Sequence, residues 1–454
     1  MADTMTSTPT PSRTTAPMTV SAVRILRDLG RDPIAGLERI ATRADGALVR
    51  LNAVAMRPYL VLHPDHVARV LSDSERYPRE GMLWKPIQRL EGHGIAGEGP
   101  QWRTSRKMLQ PLYTLQNTHR LAPAVATAVD EAVDLLARRV GTEPFDLVTE
   151  MTRITHHVLI RVFFGNRIST VDADRLGTAI STAFGAIGWR MVLPMVPMAV
   201  PLPGDRAFAR AVRVADEVIY PLISSGQDSD DDLVTRIKAA RDDAGAPFTP
   251  RAIRDDLVGM FAAGTETTAV TLTWLWMLLA AHPPVAEQVM DEVTGVVGTS
   301  AAGPEHLAQL VQTYMVLQET MRLYPIGWMV PRTTAVADTI DGVTISPGSI
   351  MLTSPYLTHR LPSLFAEPDR FDPQRFAGRR PFDGKRPPGY MPFGHGPHRC
   401  LGEHFAVAEV LLVVAGMLRR FRPQIVGAPH IGLRPKATTA LRPRATPQMV
   451  LRPR

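Results

Sequence analysis

The sequence holds one cysteine, Cys400, in the run Phe393-Gly394-His395-Gly396-Pro397-His398-Arg399-Cys400-Leu401-Gly402. One thiol excludes an intrachain disulfide and a zinc site built from several thiolates, so Cys400 is either inert core or a single reactive ligand. The turn-rich run feeds a helical stretch that begins near Glu403. Backbone N–H groups of such a loop and the positive end of the helix can stabilise a thiolate facing a metal, and the glycines allow close backbone approach.

Three other groupings could work beside such a ligand. In Ala263-Gly264-Thr265-Glu266-Thr267-Thr268, small residues and hydroxyls interrupt a long helical pattern. Glycine lowers helix propensity and Thr hydroxyls divert backbone hydrogen bonds, so a local distortion that admits oxygen and water is expected there. Glu319 and Arg322 are three apart, which sets carboxylate and guanidinium on one helix face, an arrangement most often found as a surface ion pair. Trp102 and Arg106, four apart, share another helix face, and together with Arg332 and His398 they are suitable donors to carboxylates.

The ten residues around Cys400 resemble the haem-binding signature of the cytochrome P450 family at every constrained position, including Phe393, Gly396, His398, Cys400 and Gly402. The resemblance runs from about Pro33 to Arg454, with the motifs in the family's order. It implies haem b with Cys400 as the axial iron ligand, whose electron donation favours O–O cleavage. Ala263, Gly264, Phe393, Gly394 and Gly402 would then line the cofactor, and Trp102, Arg106, Arg332 and His398 would meet its propionates. Glu266 and Thr267 resemble the family's acid–alcohol pair, which handles the protons consumed when dioxygen is split. Glu319 and Arg322 resemble its buried Glu-x-x-Arg pair. Arg375 sits at the place of the meander arginine, although Gln374 stands where the family usually has Glu.

The implied activity is that of a haem-thiolate monooxygenase inserting one atom of O2 into an apolar small molecule, such as a terpene or polyketide-derived skeleton of secondary metabolism. A peroxygenase or isomerase on the same fold, and a haem-based binding or sensing protein, are the alternatives. The chain shows no flavin-binding Gly-x-Gly-x-x-Gly unit and no cysteine set for an iron–sulfur cluster. A separate ferredoxin or flavodoxin with an NAD(P)H-dependent reductase is therefore expected. The net charge of +7 suits an acidic carrier, and the arginines near Cys400 offer a docking face. Along the chain as a whole the arginines are scattered and no nucleic-acid-binding motif accompanies them, so no nucleic-acid partner is expected.

The elements that must position these residues read as mainly α with a small β region, in one domain of the cytochrome P450 fold. Residues 1–20 read as a disordered tail rich in Thr, Ser and Pro, without the apolar run of a signal peptide, and 21–454 as the haem domain. Thr249-Pro250 opens a helix of over thirty residues that stops near His282-Pro283. Its apolar part, Thr268 to Ala281, is too short to span a bilayer and reads as a buried core helix without a membrane span; the resemblance is to soluble bacterial members of the family, and a monomeric, cytoplasmic protein is expected. A helical pattern runs from Leu121 through Leu136, a hairpin fits Ala47 to Leu62 and a helix Asp65 to Leu71. Further strands fit Asp338 to Ile345, Ser349 to Thr353 and the C-terminus.

Tyr77 to Pro100, Met191 to Pro203 and Leu361 to Tyr390 read as long irregular connections, two of them expected over a pocket. That pocket is assigned Leu83, Trp84 and Ile87, Ala262 and Ala263, and Ile326, Gly327, Met329 and Val330. Trp189 to Met198 is its expected lid, with methionines that adapt to a greasy ligand.

Overall fold

The computed structural model describes residues 17–454 except 31, 53–55, 142, 166, 226–232, 243 and 428–432. Helices dominate, and the longest of them, Pro250–Ala281, runs through the middle of the chain's core. Its N-cap is Thr249, whose hydroxyl accepts the Ala252 N–H, and Pro250 takes the first position, where a missing N–H has no cost. The stretch Leu272 to Leu279 is buried, so its apolarity reflects core packing on every side. No single helix among the described residues is long and apolar enough to cross a membrane.

Helices Leu115–Ala137 and Leu147–Phe164 pack against one another; the first covers Glu403–Arg420 and the second covers the central helix. Thr170–Ala186 and Asp205–Ser224 pack as a pair, and Asp205–Ser224 crosses the central helix. The larger sheet has the order Met18–Val20, Val49–Leu51, Tyr59–Val61, Ile350–Thr353, Val330–Thr333. Its register sets Arg332 opposite Met351 and fixes that arginine at the edge of the core. A smaller sheet joins Phe145–Asp146, Gln448–Pro453 and Phe421–Ile425.

The tail expected over residues 1–20 falls mainly outside the described residues, and its last part is not a tail. Residues 1–16 lie outside the described residues, whereas Met18–Val20 is a strand with Val20 buried against Leu51. The connection from Tyr77 to Pro100 is not wholly irregular, because Lys85–Glu91 forms a helix within it. The C-terminus is a hairpin, Pro435–Ala437 with Leu441–Pro443, followed by a strand that pairs elsewhere. The central helix runs unbroken through the expected distortion. The Thr265 and Thr267 hydroxyls donate to the carbonyls of Phe261 (2.8 Å) and Ala263 (2.5 Å), which satisfies both groups inside a continuous helix.

Candidate active site

Cys400 is placed by its loop. Its backbone N–H donates to the Phe393 carbonyl at 2.9 Å, and Gly396 has φ +71°, with a Cβ there lying 2.3 Å from the Leu71 carbonyl oxygen. Only glycine meets both demands. Helix Glu403–Arg420 starts directly after the loop, with the Gly402 N–H near the thiol. Burial pushes the Cys400 thiol up to about 11, while the Gly402 N–H and the Arg106 and Arg399 charges pull it down. A bound metal cation shifts that balance to the thiolate. Cys400 is an exposed residue, and it lines a cavity.

That cavity, of about 420 Å³, lies between the cysteine loop and the central helix. Every residue assigned to the cofactor lines it: Trp102, Arg106, Ala263, Gly264, Arg332, Phe393, Gly394, His398, Cys400 and Gly402. Gly264 is also a packing residue, since a Cβ there would stand 2.9 Å from the Leu159 side chain, whereas a Cβ on Gly394 would meet nothing within 4 Å.

Arg79, Trp102, Arg106, Arg332 and His398 converge on the same cavity. Arg79 was not singled out in the sequence; it comes from the first long loop, and nothing local separates it from the other arginines. It donates to the Ile95 and Gly97 carbonyls, yet its Nε, the Nε of Arg332 and the Nδ1 of His398 are buried without a hydrogen-bond partner. Burial lowers Arg79 to about 10 and Arg332 to about 9, and Arg79 repels Arg332 further. Glu98 offsets part of this charge: it accepts from His398 at 3.1 Å and from the Arg79 N–H at 2.7 Å. Although burial pushes Glu98 up, these bonds and the nearby cations bring it to about 2. The two orphaned guanidinium N–H groups of Arg79 and Arg332, under mutual repulsion, are what a dianionic group would satisfy.

Beneath the loop, Glu319 and Arg322 are fully buried and paired in a fork, with N–O distances of 2.6 and 2.9 Å. Arg322 also donates to the carbonyls of His359, Pro368 and Arg370, and Glu319 accepts the Asp372 N–H. The Nε of Arg375 is 3.4 Å from Glu319, an ion pair without hydrogen-bond geometry. Burial raises the Glu319 carboxyl, against the pull of Arg322.

On the central helix, Thr267 lines the cavity and Glu266 does not. One residue is a turn of about 100° on a helix, and Glu266 shares its face with Trp274, eight positions on. Both reach the C-terminal hairpin: Trp274 donates to the Leu441 carbonyl at 2.8 Å, and Arg442 donates to Glu266 at 2.6 and 3.0 Å. The same geometry corrects the pocket assignment. Trp84, Ala263, Ile326, Gly327 and Val330 line the cavity, whereas Leu83, Ile87, Ala262 and Met329 do not. Ala262 is buried in the core, and Ile87 and Met329 pack against that core. The expected lid, Trp189 to Met198, contributes nothing to the lining.

Three acids outside the assigned set stand out. Glu91 lines the cavity, and burial pushes it up to about 7 despite Arg79. Glu409, on the helix after Cys400, also lines the cavity, and neither carboxyl oxygen is hydrogen-bonded; burial raises it well above the carboxylate range, which the nearby Thr268 hydroxyl only partly offsets. Asp256 accepts from the Ile95 N–H and from Ser105, both at 2.7 Å, and so docks the first long loop on the central helix. The run Gly92-His93-Gly94-Ile95-Ala96-Gly97 does have the Gly-x-Gly-x-x-Gly spacing, but it lies between two helices. A Cβ on Gly92 or Gly94 would collide with Asp255 or Asp256, so these glycines serve docking rather than a nucleotide.

The cytochrome P450 family profile matches residues 36–447. The chain is a cytochrome P450. Cyclooctat-9-en-7-ol 5-monooxygenase of Streptomyces melanosporofaciens is 32% identical over 90% of this P450 and 89% of its own length. Pentalenene oxygenase of Streptomyces avermitilis is 26% identical over 95% of both chains. The crystal structure of the cytochrome P450DA heme domain superposes with a TM-score of 0.80 at 22% identity, covering 94% of this chain and 95% of that one, and it confirms the fold. This P450 is an oxidoreductase of the monooxygenase type; its family and fold bind haem b and work with O2 and redox partners. The unpartnered donors and the open wall at Gly394 fit that cofactor.

Proposed function

We propose that this P450 inserts one oxygen atom into a terpene-derived, largely apolar skeleton in secondary metabolism. The carrying observation is the cavity wall built by the first long loop, the central helix and residues 326–330. Trp84, Ile95, Ala96, Met260, Ala263, Ile326 and Val330 make it apolar, and Glu91 is its one acid. A largely apolar wall with a few placed polar groups, here Arg79, Glu91, Thr267, Thr268 and Thr271, selects a greasy ligand and orients it. The relatives named for cyclooctatin and pentalenene oxidation support the substrate class.

Cys400 would hold the haem iron, and Arg79, Trp102, Arg106, Arg332 and His398 would hold the propionates. The haem supplies the activation of dioxygen. The protein's part is to exclude water, orient the substrate and deliver protons. The Thr267 hydroxyl, on the cavity side, is assigned the last proton transfer; Glu266, steadied by Arg442, stands behind it as the acid. Electrons would come from an acidic ferredoxin or flavodoxin in the cytoplasm, docking where Arg399, 43% exposed, stands beside Cys400.

The test uses the haem-loaded protein with a surrogate ferredoxin, its reductase and NADPH, offered cyclic terpene hydrocarbons and alcohols under labelled dioxygen. A product carrying one labelled oxygen is expected. Turnover only with added peroxide, or only on polyketide or fatty-acid substrates, would refute the reading. Beforehand, the reduced carbon monoxide complex should show the long-wavelength Soret band of thiolate ligation, lost in Cys400→Ser.

A further inference from the structure

Glu91 closes the short helix Lys85–Glu91 and lines the cavity, with only 8% of the residue exposed. Its carboxylate makes no hydrogen bond or ion pair among the described residues. Other polar groups of the cavity wall are engaged within the protein. The Thr267 and Thr271 hydroxyls donate to the carbonyls of Ala263 and Thr267, and Arg79 donates to those of Ile95 and Gly97. Glu409, the second acid of the cavity, comes from the helix after Cys400 and has the Thr268 hydroxyl near it.

The position of Glu91 is fixed on both sides. Before it, the Leu90 carbonyl accepts from the buried Arg254 at 2.6 Å. After it, Gly92 has φ +68°, and a Cβ there would collide with the Asp255 carboxylate. Opposite, on the central helix, stands Gly259, where a Cβ would lie 3.9 Å from the Glu91 Cβ; the missing side chain leaves that space to the cavity. Gly259 shares the cavity face with Ala263 and Thr267, four and eight residues on, so about 12 Å of helix separate the level of Glu91 from that of Thr267. A fused-ring skeleton can bridge that span.

An acid buried without a partner is a cost to the fold, and burial accordingly raises Glu91 to about 7. Placement of such a group in a cavity wall points to a binding role. Ile95, Ala96 and Met260 of the same wall carry no polar side-chain group, so the hydrogen bonds of Glu91 fall to the ligand.

We propose that Glu91 hydrogen-bonds a hydroxyl group already present on the substrate, so that this P450 acts on a terpene alcohol rather than on the parent hydrocarbon. The inference rests on the substrate class proposed above and deepens it. A hydroxyl donates to a carboxylate and accepts from a carboxylic acid, so the contact survives in either protonation state. A hydrocarbon in the same place would leave the acid desolvated and unpaired, which selects against it. The reaction that supplies the substrate is then one that sets an oxygen on the skeleton, either a cyclisation ended by capture of water or an earlier hydroxylation. Turnover yields a diol: one atom of O2 enters a C–H bond and the other leaves as water, with two electrons from the redox partner and two protons.

The haem-loaded full chain is titrated by calorimetry with two matched terpene pairs, cedrol with cedrane and menthol with p-menthane. A non-terpene set, 1-adamantanol, adamantane and 1-adamantanamine, is run beside them. Each alcohol is expected to bind about tenfold or more tightly than its hydrocarbon, the worth of one buried hydrogen bond. Glu91→Leu should erase that ratio and Glu91→Gln should keep part of it, whereas a merely structural role would shift both members of a pair alike. The carbon monoxide spectrum verifies that each variant is folded. Hydrocarbons bound as tightly as alcohols, a ratio that survives in Glu91→Leu, or no binding of any alcohol overturns the proposal. So does tighter binding of the amine, which would identify a cationic ligand. A Glu91-dependent ratio confined to the adamantane set sustains the role of Glu91 and removes the terpene class.

Discussion

Met391, three residues ahead of Gly394, donates its backbone N–H to Nε2 of His359 at 2.9 Å. The other ring nitrogen of His359 donates to the Arg322 carbonyl at 3.2 Å, so one imidazole ties the buried ion pair to the start of the cysteine loop. Both bonds require the neutral tautomer with the proton on Nδ1, and burial lowers His359 to about 3, which keeps it neutral. His359→Leu leaves the Met391 N–H and the Arg322 carbonyl buried and unpaired. A loss of roughly 2–4 kcal/mol is expected, by the cost of unsatisfied buried groups, with faster haem loss. Urea denaturation of the haem-loaded protein measures it, and His359→Gln should recover part.

His359 also sets a pH dependence. Its folded pKa is depressed, so the unfolded state binds the proton first, and the stability it contributes is lost as pH falls from about 6.5 toward 3. The difference in stability between the wild type and His359→Gln should shrink across that window. A difference constant with pH would show that His359 is not held neutral.

The Glu319–Arg322 pair should be costly to break and cheap to replace. Glu319→Gln leaves a buried guanidinium without its counter-charge and should destabilise by about 3–5 kcal/mol, to the point of poor haem loading. Replacing both residues by apolar ones of similar volume should cost less than either single change. Chemical denaturation of the three variants is the comparison.

Arg79, absent from the motif-based reading, should hold the cofactor as firmly as Arg332. Hydrogen bonds to charged groups are worth about 1.5–3 kcal/mol, so Arg79→Met and Arg332→Met should each speed haem transfer to an acceptor globin by roughly ten- to a hundredfold. An unchanged rate for Arg79→Met would remove it from the propionate set.

Glu91 carries the opposite pH signature to His359. Burial raises it to about 7, so its contribution is intact below about 4.5 and is lost as pH rises through 7. Glu91→Gln should match the wild type near pH 4.5 and exceed it at pH 8 by at most about 3.5 kcal/mol, at about 1.4 kcal/mol per unit of pKa. Thermal unfolding at the two pH values reads this directly.

Much of the chemistry was legible in one dimension. The Cys400 loop, the Thr249-Pro250 start and His282-Pro283 end of the central helix, and the Glu319–Arg322 spacing are local patterns. They work through turns, caps and helix periodicity that a few neighbouring residues impose. The family's motif order did the same for Arg375, which comes within ion-pair distance of Glu319. What the sequence by itself determined was thus the fold class, the cofactor and its ligand loop. Only the tertiary structure decided which side chains meet from distant segments: Arg79 beside Arg332, Arg442 on Glu266, His359 under Met391, and Glu409 in the cavity wall. It also decided that Ala263 faces the cavity while Ala262 faces the core, and that the apolar loop after Trp189 turns outward. Periodicity gives a helix its faces, but which face meets which neighbour is set by the packing of whole elements, and no short stretch of sequence carries that information.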